Sequence, residues 1–223
     1  MLYALEQYEF VGRFHNSVRR IKHWRDESKY CIFPGYRHRA SERYFDDTPF
    51  ADQYQREVYE FAADFAKKMS LRRIYDVGCG SGYKLIKYFA DYHAVGFDLE
   101  PTVHFLRARY PEREWQVCGL GCDALSRADL VICADVVEHV LDPSSVMEFI
   151  NRLATRYIIL STPDRDLMYA PGSGYRHGPP SNRTHVREWN YREFERYVSS
   201  YFEVLDHRIT NYVQGTQMVL CMR

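Results

Sequence analysis

Ile74-Tyr75-Asp76-Val77-Gly78-Cys79-Gly80-Ser81-Gly82 is the stretch whose reading decides the fold. An apolar strand, Arg72–Cys79, runs into glycines at 78, 80 and 82, and a helical pattern opens at Tyr83 and runs to Asp91. Glycines without side chains let the backbone approach a ligand closely, and the N-terminus of the helix offers free N–H donors. A second strand, His93–Leu99, ends in Asp98, eighteen residues beyond Gly80. An acid at that place accepts hydrogen bonds from ribose hydroxyls. The spacing is Gly-x-Gly-x-Gly, unlike the Gly-x-Gly-x-x-Gly of dinucleotide folds, and no Lys-Ser/Thr follows as in a triphosphate loop.

Outward from this core the chain alternates. Pro101–Tyr110 reads as helix, Glu114–Cys118 as a short strand and Leu130–Val136 as a continuous apolar strand. Asp142-Pro143 caps a helix over Ser144–Ala154, and Tyr157–Ser161 is another buried strand. Strands alternating with helices imply a parallel sheet covered on both faces. Ala170–Arg187, with three glycines, three prolines, His177 and His185, is a long loop of the kind that usually serves function. A helix over Tyr191–Ser200 and a terminal antiparallel hairpin, Phe202–Thr210 and Thr216–Met222, complete the chain.

The head is different. Leu2, Leu5, Val11, Phe14, Val18 and Ile21 fall on one helical face, Pro34-Gly35 breaks the segment, and charges between Val11 and Phe45 lean positive. Thr48-Pro49 reads as the start of a second helix carrying Phe50, Tyr54, Val58, Phe61, Phe65 and Met69. The expected division is a helical cap or lid over 1–70 and a ligand-binding domain over 71–223.

Composition narrows the function. Thirty basic and thirty acidic residues leave no net charge among 223, which disfavours a nucleic-acid partner. No apolar run approaches the length of a membrane span, and Met1–Phe10, with Glu6 and Glu9, is no secretory signal, so a cytoplasmic location is expected. Six cysteines without a Cys-x-x-Cys pair suggest reduced, mostly buried thiols rather than disulfides or zinc ligands. No metal ligand is assigned; a metal-assisted variant is conceivable through Asp135, Asp164 and Asp166, which come from separate strand ends, but no spacing demands an ion.

Taken together, Asp76–Gly82, the Asp98 strand end, Asp135-Val136-Val137-Glu138-His139-Val140 after the fourth strand and the terminal hairpin resemble class I S-adenosylmethionine-dependent methyltransferases, over roughly 72–223. The flavour is that of small-molecule enzymes with an Asp-x-x-Glu-His signature. The resemblance implies a three-layer, Rossmann-like α/β fold with a seven-stranded, mostly parallel sheet, an antiparallel terminal hairpin and an added N-terminal helical cap. It implies S-adenosyl-L-methionine as cofactor and S-adenosyl-L-homocysteine as product. Gly78, Cys79 and Gly80 would wrap the methionine part, Asp76 would brace that loop or meet the ammonium, Asp98 would hold the ribose diol with Leu99 against the adenine, and Asp135 and Val136 would line the methyl-donor side. The acid that often follows the third strand is displaced here to Asp123.

The methyl leaves a sulfonium by in-line displacement, so positioning supplies much of the rate. An oxygen acceptor also needs a proton removed, a task suited to imidazole, and His139, His177 and His185 are the candidates. Each has a plainer reading as a loop anchor, and His185-Val186-Arg187-Glu188-Trp189 reads as one as a unit. The expectation is methylation of a small molecule, at oxygen, with a saccharide or secondary metabolite as acceptor. An N-methyltransferase acting on an amino sugar or amine is the first alternative. A non-catalytic cofactor-binding or scaffold subunit is the second, its N-terminal helix then serving a homodimer interface.

Overall fold

Period-2 alternation places two hydrophobic layers on one sheet. In the computed structural model, which describes residues 27–118 and 126–223, strands β1 (Arg73–Val77), β2 (His93–Asp98), β3 (Glu114–Val117), β4 (Ala128–Ala134), β5 (Ala154–Pro163), β6 (Glu203–Asn211) and β7 (Thr216–Met222) form one sheet in the order β3-β2-β1-β4-β5-β7-β6. β1 to β5 run parallel, and β7 lies antiparallel to both neighbours. Successive side chains point to opposite faces. Tyr75, Val131, Cys133, Ile158 and Leu160 therefore face one layer, and Ile74, Leu130, Ile132 and Ile159 the other.

Helices α4 (Pro143–Leu153) and α6 (Tyr191–Ser199) cover the first face with Met147, Phe149, Ile150, Phe194, Tyr197 and Val198. Helices α1 (Arg56–Lys68), α2 (Tyr83–Tyr88) and α3 (Glu100–Arg109) cover the second with Val58, Tyr59, Ala62, Leu85, Val103 and Leu106. A short α5 (Arg165–Met168) follows β5, with Asp164 capping it through the Asp166 N–H. α6 begins in a full capping box between Asn190 and Glu193, two reciprocal hydrogen bonds written into four residues. Strand order reverses at β1, which lies between β2 and β4, and ligands of open α/β sheets bind at the carboxyl ends beside such a reversal.

The head departs from its expected form. The helix begins at Arg56, not at Pro49. Asp46 accepts hydrogen bonds from both the backbone N–H and the hydroxyl of Thr48, and the Phe50 N–H returns to the Asp47 carbonyl, so these residues close turns instead of propagating a helix. Gln55 then sits at φ 58°, a left-handed conformation that no helix can pass through. The buried face of α1 is consequently Val58, Tyr59, Ala62 and Ala66, while Tyr54 and Met69 are exposed. Helix α2 is also shorter than read, ending at Tyr88, and β5 is longer, starting at Ala154. The expected first helix over Leu2–Ile21 lies outside the described residues.

Residues 27–36 share the core of the sheet. Tyr30, Ile32 and Tyr36 are buried in the first layer. The Trp189 indole donates to the Tyr30 carbonyl at 2.8 Å, and Arg187, with no exposed surface, pairs with Glu27 at 2.7 Å and donates to the carbonyls of Val140 and Leu141. The Val186–Trp189 run thus clips the head to the segment after β4.

Candidate active site

The turn after β1 needs glycine for two separable reasons. Gly78 has φ 76°, and a Cβ there would lie 2.3 Å from Val136 Cγ2, so the β1 and β4 ends approach closer than any side chain allows. Gly80 has φ 52°, and a Cβ there would lie 1.7 Å from an Asp47 oxygen. The space above Gly80 is occupied by the carboxyl of Asp47. Asp98, at the end of β2, accepts from the Gly80 N–H at 2.8 Å through one oxygen and from the Leu99 N–H at 2.7 Å through the other. Asp76 is wholly buried, and the Tyr59 hydroxyl lies 2.9 Å from both its oxygens. It braces β1 against α1.

Three acids therefore converge on this turn. Burial, reinforced by Asp98 and opposed by Lys84, pushes Asp47 up to about 7. Burial also pushes Asp76 up to about 7 against the Tyr59 hydrogen bond and Lys84. Burial raises Asp98 as well, opposed by the Leu99 and Gly80 N–H donors and by the Thr102 hydroxyl. A concave site with excess buried carboxylates favours a cationic group.

Over this edge runs the segment from Glu42 to Asp47. Glu42 accepts from the Leu141 N–H, the Tyr44 hydroxyl meets Thr102 at 3.1 Å, and Phe45 stacks on His139 with ring centres 5.9 Å apart. Beneath it lies a cavity of about 230 Å³. Its lining includes Gly78, Asp98 and Leu99 from the β1 and β2 ends, and Val136, His139 and Asp142 from the segment after β4, with Val136 directly against Gly78.

The segment after β4 carries a second polar group. Asp135 stands at φ 54°, strained for a non-glycine residue, and is held by the Ser161 hydroxyl at 2.6 Å and the Gln55 amide at 2.9 Å. Val137–His139 form a 3₁₀ turn. Glu138 is wholly buried, and burial together with Asp135 drives its carboxyl well above the usual range. His139 Nδ1 lies 3.1 Å from the Thr184 carbonyl, which can only accept, so that nitrogen carries the hydrogen and Nε2 is left with its lone pair. Burial, then His185, lowers the His139 pKa to about 3, so its imidazole is neutral. His185 packs edge-on against His139, ring centres 4.8 Å apart, with Nδ1 2.6 Å from the buried Glu188 carboxylate.

Of the residues singled out from sequence, Gly78, Asp98, Leu99, Asp135, Val136 and His139 meet around one cavity. Gly80 lies beneath Asp47, and Asp76 and Cys79 are buried behind the turn. His185 stands behind His139. His177 is exposed on the loop, edge-on to Phe33, and does not line the cavity. Asp164 and Asp166 belong to the α5 cap and an Arg176 pair. Asp123 lies outside the described residues. Sequence reasoning missed Glu42, Phe45, Asp47 and Asp142; a dense charged and aromatic run just before Thr48-Pro49 was the one available signal.

The methyltransferase domain family model matches residues 36–218. Magnesium protoporphyrin IX methyltransferase (ChlM) from Synechocystis PCC 6803 with bound SAH has a similar structure, with TM-score 0.55, 18% identity, and 76% of this chain and 83% of that chain covered. A SAM-dependent methyltransferase from Aquifex aeolicus superposes with TM-score 0.55 and 15% identity over 80% of this chain and 99% of that one. Streptomyces venezuelae DesVI does so with TM-score 0.59 and 11% identity over 77% and 93%. Likenesses at these identities concern the fold alone. No curated protein matches the sequence significantly. With 183 of its 223 positions inside one family model, the chain belongs to the class I S-adenosylmethionine-dependent methyltransferases.

Proposed function

We propose that this protein methylates an oxygen of a small molecule, of saccharide or secondary-metabolite type, and that the cavity between Asp98 and His139 holds cofactor at one end and acceptor at the other. The carrying observation is the cavity itself: one continuous, partly open space is lined both by the Asp98 strand end and by an unprotonated imidazole, with the 42–47 segment along it. S-adenosylmethionine, when bound, supplies an electrophilic methyl: the acceptor oxygen bonds to it as the methyl–sulfur bond breaks, the electron pair stays on sulfur as a neutral thioether, and the hydroxyl proton passes to a base.

The residues present fit that cofactor. Gly78 lines the cavity, the bare backbone of Gly80 would give room for its methionine part once Asp47 moves aside, and Asp98 would accept from a ribose diol. Leu99 and Val136 provide apolar walls, and Asp47 and Asp76 favour a positive group. The cavity falls just under the roughly 300–1,000 Å³ of small-molecule sites. Asp47 therefore moves off Gly80 when the site fills, and the 42–47 segment acts as its cap and excludes water. Of the three histidines, His139 is the one in reach of the acceptor.

One observation favours an amine acceptor as the second reading. Among the described residues, the lining carries Glu42, Asp47, Asp98, Asp135 and Asp142 against Arg43 alone. Calorimetry and labelling test both. Asp98→Ala should weaken S-adenosylmethionine binding about 30-fold, the loss of charge-assisted bonds; equal affinities would refute the assignment of the cofactor end. Labelled cofactor offered with hydroxylated and amino acceptors should mark oxygen, and label on nitrogen alone would transfer the assignment to the amine.

A further inference from the structure

Glu138 is an unusual residue to leave in a core. It has no exposed surface, and among the described residues neither carboxylate oxygen has a partner of good hydrogen-bond geometry. Its own backbone N–H and the Thr162 hydroxyl lie close enough to favour its charged form, but they fall short of that geometry and do not offset its burial. An unpaired buried carboxylate is among the least tolerable groups in a fold, so such a group marks a missing partner.

The surroundings say which partner. One donor atom each from Glu138, His139 and His185 lies within 4.8 Å of the others. Around a tetrahedral ion with bonds near 2.1 Å the donors stand roughly 3.4 Å apart, so small side-chain rotations close the set. Both imidazoles are already oriented from behind. His139 gives Nδ1–H to the Thr184 carbonyl, and His185 gives Nδ1–H to Glu188, itself wholly buried. A backbone carbonyl or a carboxylate behind Nδ1, with Nε2 turned to the ion, is how metal-binding histidines are held. The backbone fixes the same geometry: the Glu138 carbonyl accepts from the Val186 N–H at 2.7 Å, which ties the 3₁₀ turn to the residue after His185. One group stands in the way. The amide of Asn182 lies 2.8 Å from His185 Nε2, but Asn182 is exposed and its side chain can leave.

We propose that Glu138, His139 and His185 bind a divalent transition-metal ion through one carboxylate oxygen and two imidazole nitrogens, with an open position on the cavity side. Two imidazoles and a carboxylate suit Zn²⁺, Mn²⁺ or Co²⁺ better than the all-oxygen cations Ca²⁺ or Mg²⁺. His139 lines the cavity, so the ion's free face meets whatever lies at the acceptor end. With the ion bound, His139 serves as its ligand and the ion takes the part of the base: its charge favours the deprotonated form of an acceptor hydroxyl, whose proton goes to solvent. That purpose rests on the reading of this cavity as the acceptor site; the ion's binding does not.

The test is a Co²⁺ titration of tag-free protein stripped with chelator and desalted. The expected result is one equivalent bound, with visible absorption of coordinated Co²⁺, displaced by Zn²⁺. Glu138→Gln and His185→Gln should each weaken binding by at least about tenfold. Asn182→Ala should bind as well as or better than the native protein, because its amide no longer competes. Absence of a Co²⁺ spectrum from the native protein would overturn the proposal. Unchanged binding in both Glu138→Gln and His185→Gln would overturn it equally, by putting the ion elsewhere. S-adenosylmethionine affinity is measured in parallel. Cofactor binding without metal binding defeats this inference and spares the methyltransferase reading, whereas a bound ion with label only on nitrogen defeats the acceptor assignment and spares the site.

Discussion

The two ends of the cavity are built on opposite plans. At the β1–β2 end, Asp98 is held by N–H groups of Gly80 and Leu99, one of them its immediate neighbour. At the β4 end, Glu138 has no donor of good hydrogen-bond geometry among the described residues, His139 is held by Thr184, forty-five residues further along, and His185 comes from that same loop with Glu188 three residues after it. The first end is a preformed acceptor of hydrogen bonds. The second is a polar group that awaits something from outside the chain. On the proposed function the first end would take the cofactor and gain from having Asp98 fixed in advance, whereas the end that would meet the acceptor can leave its last interaction to the ligand.

Three substitutions sharpen or break this contrast. The largest effect belongs to Gly78→Ala. A Cβ 2.3 Å from Val136 at φ 76° must push the β1 and β4 ends apart, and a loss of about 3–4 kcal/mol is expected in chemical denaturation. A change under about 1 kcal/mol would show that the two ends are not rigidly joined. Next is His139→Gln, which should lower kcat with a hydroxyl acceptor about 100-fold and leave cofactor affinity within about twofold. His177→Gln, on its exposed loop beside Phe33, should change neither. Equal loss in both variants would mean that the loop closes onto the cavity in turnover.

The smallest effect is a pH dependence at Asp47. Its folded-state pKa is raised from 3.8 to about 7. Between those values the folded chain keeps a proton that the unfolded chain has lost, so the stability linked to it is full below pH 4 and disappears as pH rises through 7. Asp47→Asn removes the titration. The variant's advantage over the native protein should be absent near pH 3, appear as pH rises above 4, and grow by on the order of 2 kcal/mol between pH 5 and pH 8, read from urea midpoints. Parallel pH profiles for the two proteins would mean that Asp47 is already paired. The same ionisation should make cofactor affinity rise from pH 6 to pH 8 in the native protein and less so in Asp47→Asn.

Legibility in the sequence follows the range of the interactions. The glycine turn, Asp98 and the capping box of α6 are local devices, each completed within a few residues or between adjacent strands, and they can be read one residue at a time. The helix placed at Thr48-Pro49 failed for a local reason that pattern hides: Asp46 captures Thr48 and Gln55 turns left-handed to reach Asp135. The hydrophobic period through Phe50 and Tyr54 was real, but those side chains stack on each other and on Phe45 above the cavity instead of facing the sheet. The motif Glu138-His139 was visible as letters, and its meaning depended on His185, which no spacing rule connects to it.

By itself the sequence determined the alternating strand and helix order, the two-faced sheet, the glycine turn and the acid that closes it, because period and backbone conformation are written in residues that touch their near neighbours. Only the tertiary structure decided that Asp47 lies on Gly80, that the head shares the sheet's core through Arg187 and Trp189, and that Glu138 meets two imidazoles with no donor of good hydrogen-bond geometry among the described residues. The physical reason is chain closure: contacts across tens of residues are settled by packing and by the electrostatics of burial, and neither is carried by any one stretch of chain.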